Sequence, residues 1–170
     1  MKVIKRILSV ISAGAVLLTL PGCGRISRVI DAFNWEIKAK EVATESADII
    51  LDCFKTGNSE KLESLFCKNV SSSHDLKAEI AEAIGFIDGN IIENGSLYGL
   101  GTAGEAVDDG ITTKLSIRPG LHQIKTDKGK TYNIRFESYL IYEKDSSNVG
   151  MVYIRIKQEE EIFVVGEFIY

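Results

Sequence analysis

The stretch that looks most like chemistry is Gly99-Leu100-Gly101-Thr102-Ala103-Gly104, whose glycines fall at the spacing of a dinucleotide fingerprint. Such a fingerprint works only in the first turn of a strand–helix–strand unit, where a helix starts over the pyrophosphate. Here the next residues are Glu105-Ala106-Val107-Asp108-Asp109-Gly110; the segment is short and acidic and repels phosphate, so no nucleotide cofactor is expected. Glu105, Asp108 and Asp109 can instead approach a hard cation. Calcium needs about six or more oxygens, and the spacing is not that of the twelve-residue calcium loop, so a solvated acidic turn is favoured and no metal is expected. The segment from Gly95 to Gly110 nevertheless reads as a long glycine-rich loop, and such loops often carry function on a rigid scaffold. Ligand or partner contact is accordingly expected at Gly99, Gly101, Gly104, Glu105, Asp108 and Asp109.

The other reactive residue types are sparse. His74 and His122 are the only histidines, and their separation is not that of a metal pair. No Ser or Cys stands in a nucleophile-elbow phrase. Tyr139 and Tyr153 can line a cavity, although core packing or plain exposure explains them as well. Cys53 and Cys67 fall near the ends of two expected helices joined by a Gly57-Asn58 turn, so they can meet. A disulfide there is compatible with export; two buried free thiols acting as small apolar residues are the alternative. Neither cysteine has a Cys-x-x-Cys neighbour or an adjacent base to activate it.

The N-terminus reads as an address. Lys2, Lys5 and Arg6 precede an uncharged run from Ile7 to Leu20, too short to cross a bilayer comfortably and organised like an export signal. Leu20-Pro21-Gly22-Cys23 resembles a bacterial lipobox, in which cleavage falls before the cysteine and that residue carries the lipid; Pro21 is its unusual member. The expected organisation is a lipoprotein signal peptide at 1–22, a lipidated tether at 23–31 with acyl chains on Cys23, and one domain at 32–170. The expected location is the outer face of a bacterial cell membrane. Each buried methylene of an acyl chain contributes about 0.8 kcal/mol to anchoring.

Without residues 1–22 the charge balance is 17 basic to 24 acidic residues over 148 positions. That surplus argues against nucleic acid as a partner, and the length suits one domain with a real core. Ala39, Val42, Ala43, Ser46, Ile49, Ile50 and Cys53 recur at helical spacing and predict a helix from about Ala32 to Lys55. Leu62, Leu65 and Phe66 predict a short second helix. Ser72 with Asp75 predicts the cap of a third, with Leu76, Ile80, Ala83, Ile84 and Ile87 as its buried stripe. Beyond Gly89 the pattern alternates. Strands are expected at Ile111–Ile117, Leu121–Thr126 and Lys130–Tyr142, with a hairpin turn at Asp127-Lys128-Gly129. Further strands are expected around Val152–Ile156 and Ile162–Tyr170. In the long strand Tyr132, Ile134, Phe136, Leu140 and Tyr142 face one way, opposite Asn133, Arg135 and Glu137; later, Arg155 and Lys157 face outward. The implied class is α+β: three N-terminal helices packed on a curved antiparallel sheet formed as a meander.

That order resembles the nuclear-transport-factor-like cone, three helices wrapped by a bent sheet. Phe86-Ile87-Asp88-Gly89, the glycine-rich acidic stretch, the hairpin from Ile124 to Tyr132 and Asn148-Val149-Gly150 are similar, in order, to an uncharacterised group of bacterial lipoproteins sharing a domain of unknown function. The resemblance spans roughly residues 38 to 170 and implies a cone-like fold and a lipid anchor. It imports no catalytic residue. Two functions are expected from different classes. One is a membrane-anchored binding or interaction module for a small ligand, peptide or partner protein. The other is a small isomerase- or hydratase-like enzyme with an acid/tyrosine pocket.

Overall fold

In the computed structural model residues 23–167 are described, with side chains placed from Asn34 onward. The expected signal peptide at 1–22 lies outside the described residues. By packing, the chain parts into two units, Met1–Trp35 and Glu36–Tyr170. The second unit carries the sheet and the core.

Helix α1 (Cys23–Thr56) takes in the segment expected as a tether and continues through the predicted helix. From Glu36 it buries Ala39, Ala43, Ser46, Ala47, Ile50 and Cys53, the face that the three- and four-residue spacing marks. Gly57, at φ +76°, ends it and donates its amide to the Cys53 carbonyl at 2.8 Å, the left-handed C-terminal turn that glycine allows.

The expected three-helix layer does not form. Two stubs, α2 (Glu60–Glu63) and α3 (Lys68–Ser73), replace the second helix, and among the described residues only α4 (Leu76–Phe86) is a further helix of any length. A tertiary contact breaks the second helix. Leu65 O and Cys67 N bond to the backbone of Met151, each at 2.8 Å, so Phe66 bridges to a strand instead of continuing a turn. The cap of α4 is Asp75 rather than Ser72, its carboxylate accepting from Ala78 N at 3.1 Å.

Eight antiparallel strands dominate the molecule: β1 (Ile91–Glu93), β2 (Ser96–Tyr98), β3 (Thr102–Asp108), β4 (Ile111–Ile117), β5 (Gly120–Thr126), β6 (Thr131–Tyr142), β7 (Gly150–Gln158) and β8 (Glu161–Gly166). The fold is therefore a mostly antiparallel sheet with few helices, and the expectation of three helices on a curved, cone-like sheet is overturned. The supposed glycine-rich loop supplies β2 and β3. Nearly all of β3 is exposed, so it has no buried side to stamp an alternating pattern on the sequence. It closes one edge of the sheet, and its two register shifts against β4 suit an edge that must not recruit further strands.

The sheet is not a simple meander. The long β6 pairs on one flank with β5 through residues 131–135 and then with β4 through 138–142, and on the other flank with β7. A register shift at Glu137/Ser138 marks the change of partner. Tyr132, Ile134, Phe136, Ile154 and Ile156 face the helices with no exposure and join Ile50, Leu62 and Ile80 in the main core. Ala39, Ala43 and Ile117 form a smaller cluster where α1 meets β4. Among the described residues no helix is long and apolar enough to cross a membrane.

Candidate functional site

Antiparallel pairing puts directly opposed residues on the same face of a sheet. The register from β2 to β8 therefore draws one continuous row: Tyr98 opposite Gly120, Gly120 opposite Arg135, Arg135 opposite Arg155, and Arg155 opposite Val164. One step along, Asn133 faces Lys157, which faces Ile162. The inward alternation of Tyr132, Ile134 and Phe136 forces Asn133 and Arg135 to the outer face. Ile154 and Ile156 do the same for Arg155 and Lys157.

These residues line a groove of ≈ 190 Å³ walled by Tyr98, Asn133, Arg135, Arg155 and Lys157, with Ile134 at its floor. Gly120 opens it. A Cβ at that position would stand 2.6 Å from the Tyr98 ring and 2.7 Å from the Ile134 carbonyl oxygen, so the phenol lies across β5 only because glycine is there. Tyr98 also meets the exposed His122 ring edge to face, with centroids 6.4 Å apart. The Asn133 side-chain oxygen accepts from Gln123 N at 3.1 Å. This fixes the orientation of its amide and leaves the NH₂ as the end that can donate elsewhere. The groove thus offers donors almost throughout, and no carboxylate lines it. A larger open depression of ≈ 1030 Å³ runs along α1; it is lined by Ile37, Thr44 and Ile49 with Glu41, Glu45, Asp48 and Asp52 beside Lys40 and Lys61, so carboxylates outnumber cations there.

The residues expected to make contacts lie elsewhere. Gly104, Glu105 and Asp108 are spread along β3, Gly99 and Gly101 sit in the β2–β3 connection, and Asp109 occupies the β3–β4 turn with φ 45°. Glu105 accepts from the Thr112 hydroxyl at 3.0 Å. Among the described residues, no three His, Cys, Asp or Glu side chains are grouped to hold a metal ion. Cys53 and Cys67 are both buried free cysteines. Burial, then Asp52 and Glu63, push the Cys53 thiol up to about 11, which keeps it unreactive near neutrality. His74 contacts Glu79 through Nδ1 at 2.7 Å, remote in sequence from the groove strands. Cys23 begins α1 in the first unit.

Sequence reasoning placed Glu137 outward and missed its role. It is fully buried, with Oε2 2.9 Å from Arg118 Nε. It faces Tyr153, whose phenol is raised above its usual range by burial and then by the Glu137 charge. The available signal was Ser138, a polar residue in a slot that alternation reserves for the core. Arg135, Arg155 and Lys157 were legible as outward residues; their convergence depends on the β6–β7 register.

A family model described as "Domain of unknown function (DUF5104)" matches residues 49–160, a span that holds Tyr98, Asn133, Arg135, Arg155 and Lys157. No curated protein matches the chain.

Proposed function

The chain belongs to the DUF5104 family, and from that premise we propose that it is a lipid-anchored, extracytoplasmic binding module that holds a ligand or partner on the outer face of its sheet. One observation carries the binding reading: Arg135, Arg155 and Lys157 converge with Tyr98 and Asn133 in a groove without a carboxylate. Strand backbones position these groups more firmly than a loop would. The lipobox-like Leu20-Pro21-Gly22-Cys23 supports the anchor and the export. An acid/tyrosine enzyme has weaker support, since Glu137 is sealed from solvent and ion-paired to Arg118, and a general acid must reach its substrate.

The test is capture from a cell-envelope extract by the full lipidated chain, read by native mass spectrometry. The same chain carrying Arg135→Gln with Arg155→Gln is run beside it. The native chain is expected to retain a bound molecule that the double variant loses. Identical capture by both overturns the assignment to this groove.

A further inference from the structure

We infer, on the strength of the binding-module reading, that the groove is a phosphate-group site, with Arg135, Arg155 and Lys157 as the cationic clamp and Tyr98 as its wall. Arg135 and Arg155 are directly opposed on neighbouring strands, and like charges in that position destabilise a sheet. The chain has 24 acidic residues with which to neutralise them, and elsewhere on this sheet it does so: Lys125 on β5 meets Glu93 on β1 at 2.9 Å. The local rule is obeyed at one cross-strand cation and broken at the groove, and such breaks concentrate at functional sites. The one carboxylate next along that face of β6, Glu137, is buried and engaged by Arg118 at 2.9 Å, so an anionic ligand supplies the charge that Arg135 and Arg155 still lack.

Size and donor chemistry narrow the anion. At ≈ 190 Å³ the groove falls below the roughly 300–1,000 Å³ of pockets that enclose a whole organic ligand. It takes a head group and leaves the remainder outside. Planar guanidinium forks bind oxyanions in bidentate fashion, and two forks with an ammonium match a doubly charged phosphate ester better than a single carboxylate. The Asn133 NH₂ adds a neutral donor. Beside the cations, Val164 and Ile162 continue the same two rows, each 46% exposed, and give an apolar track for whatever the phosphate is attached to. A soluble phosphate ester and a phospholipid head group share this chemistry.

The full chain in detergent is titrated calorimetrically with glycerol 3-phosphate, with acetate, and with dihexanoyl phosphatidic acid below its micellar concentration. Glycerol 3-phosphate is expected to bind at least tenfold more tightly than acetate, and to weaken as salt is raised. Arg155→Gln and, independently, Arg135→Gln are each expected to weaken it at least tenfold, while Lys125→Gln, outside the groove, leaves it unchanged. Tighter binding of the phosphatidic acid than of glycerol 3-phosphate, sensitive to Ile162→Ser, assigns the lipid source; equal affinity assigns the soluble ester. Binding of glycerol 3-phosphate no tighter than acetate, or untouched in both arginine variants, overturns the phosphate assignment. If envelope capture still depends on Arg135 and Arg155 in that case, the binding-module reading survives with a different ligand; if it does not, both fall.

Discussion

Glu137 is the residue whose surroundings are least like its sequence. It lies where β6 changes partner from β5 to β4, and Arg118 reaches it from the connection between those two strands. Phe136 N donates to the Pro119 carbonyl at 3.1 Å beside it, so backbone and ion pair together hold one crossing point. The bond to Glu137 is the chief reason the Arg118 guanidinium is raised further above its already high range. The two partners are unequal, because Arg118 is 46% exposed and Glu137 not at all. Removing the cation strands a buried carboxylate, which costs about 3–5 kcal/mol. Removing the carboxylate charge leaves a guanidinium that water can solvate, at about the 1.5–3 kcal/mol of one charged hydrogen bond. Denaturant titration of Arg118→Ala against Glu137→Gln is therefore expected to show the larger loss in Arg118→Ala. Equal losses would mean that the pair does not act as a buried charge. Alternation alone put Glu137 on the outer face. The register keeps it there, opposite Tyr153; its burial is a tertiary effect, with Arg118 meeting it from a separate connection, which no single strand's sequence contains.

Between elements, His74 ties the start of α4 to the end of β8. Its Nδ1 is 2.7 Å from Glu79 Oε1 and its Nε2 3.7 Å from Glu167, while the other Glu79 oxygen accepts from Gly166 N at 2.7 Å. The hydrogen bond to Glu79 raises the His74 pKa above 6.5, burial opposes it, and the charges of Glu79 and Glu167 add to it. A group whose folded pKa is raised contributes stability that is full below its unfolded value and is lost as pH rises through the folded value. The clamp is partly exposed, so screening limits it to about 1 kcal/mol or less. Thermal melts are expected to show this increment at pH 5.5 and not at pH 8.5. His74→Gln should abolish the difference, and a variant that keeps the same pH profile would rule the clamp out. Elements themselves were unevenly legible. The buried stripe of α1, the cluster in α4 and the β5–β6 hairpin announced themselves because each has one side in the core. β2 and β3 did not, being short or exposed, and the second expected helix lost its backbone bonds to β7.

At the scale of the molecule, the proposed anchor and the proposed groove are independent features, and each can fail alone. Cys23→Ser in the full chain is expected to move the protein from the membrane pellet to the soluble fraction and to end incorporation of labelled palmitate, with the Arg155-dependent binding intact. Retention of label in Cys23→Ser would remove the lipoprotein assignment without touching the groove. The family could be approached from sequence because Phe86-Ile87-Asp88-Gly89 and the hairpin from Ile124 to Tyr132 are contiguous phrases within the matched span, 49–160. By itself the sequence determined what is local: helical and strand periodicities, the stop at Gly57, the turn at Gly129, and the outward direction of Arg135, Arg155 and Lys157. Tertiary structure alone decided that an eight-stranded sheet outweighs the helices, that Phe66 bridges to Met151, and that three outward cations share one groove. The physical reason is range. Periodicity records which side of an element meets the core, whereas register and strand order record which elements meet each other, and those are settled only when the whole core is buried at once.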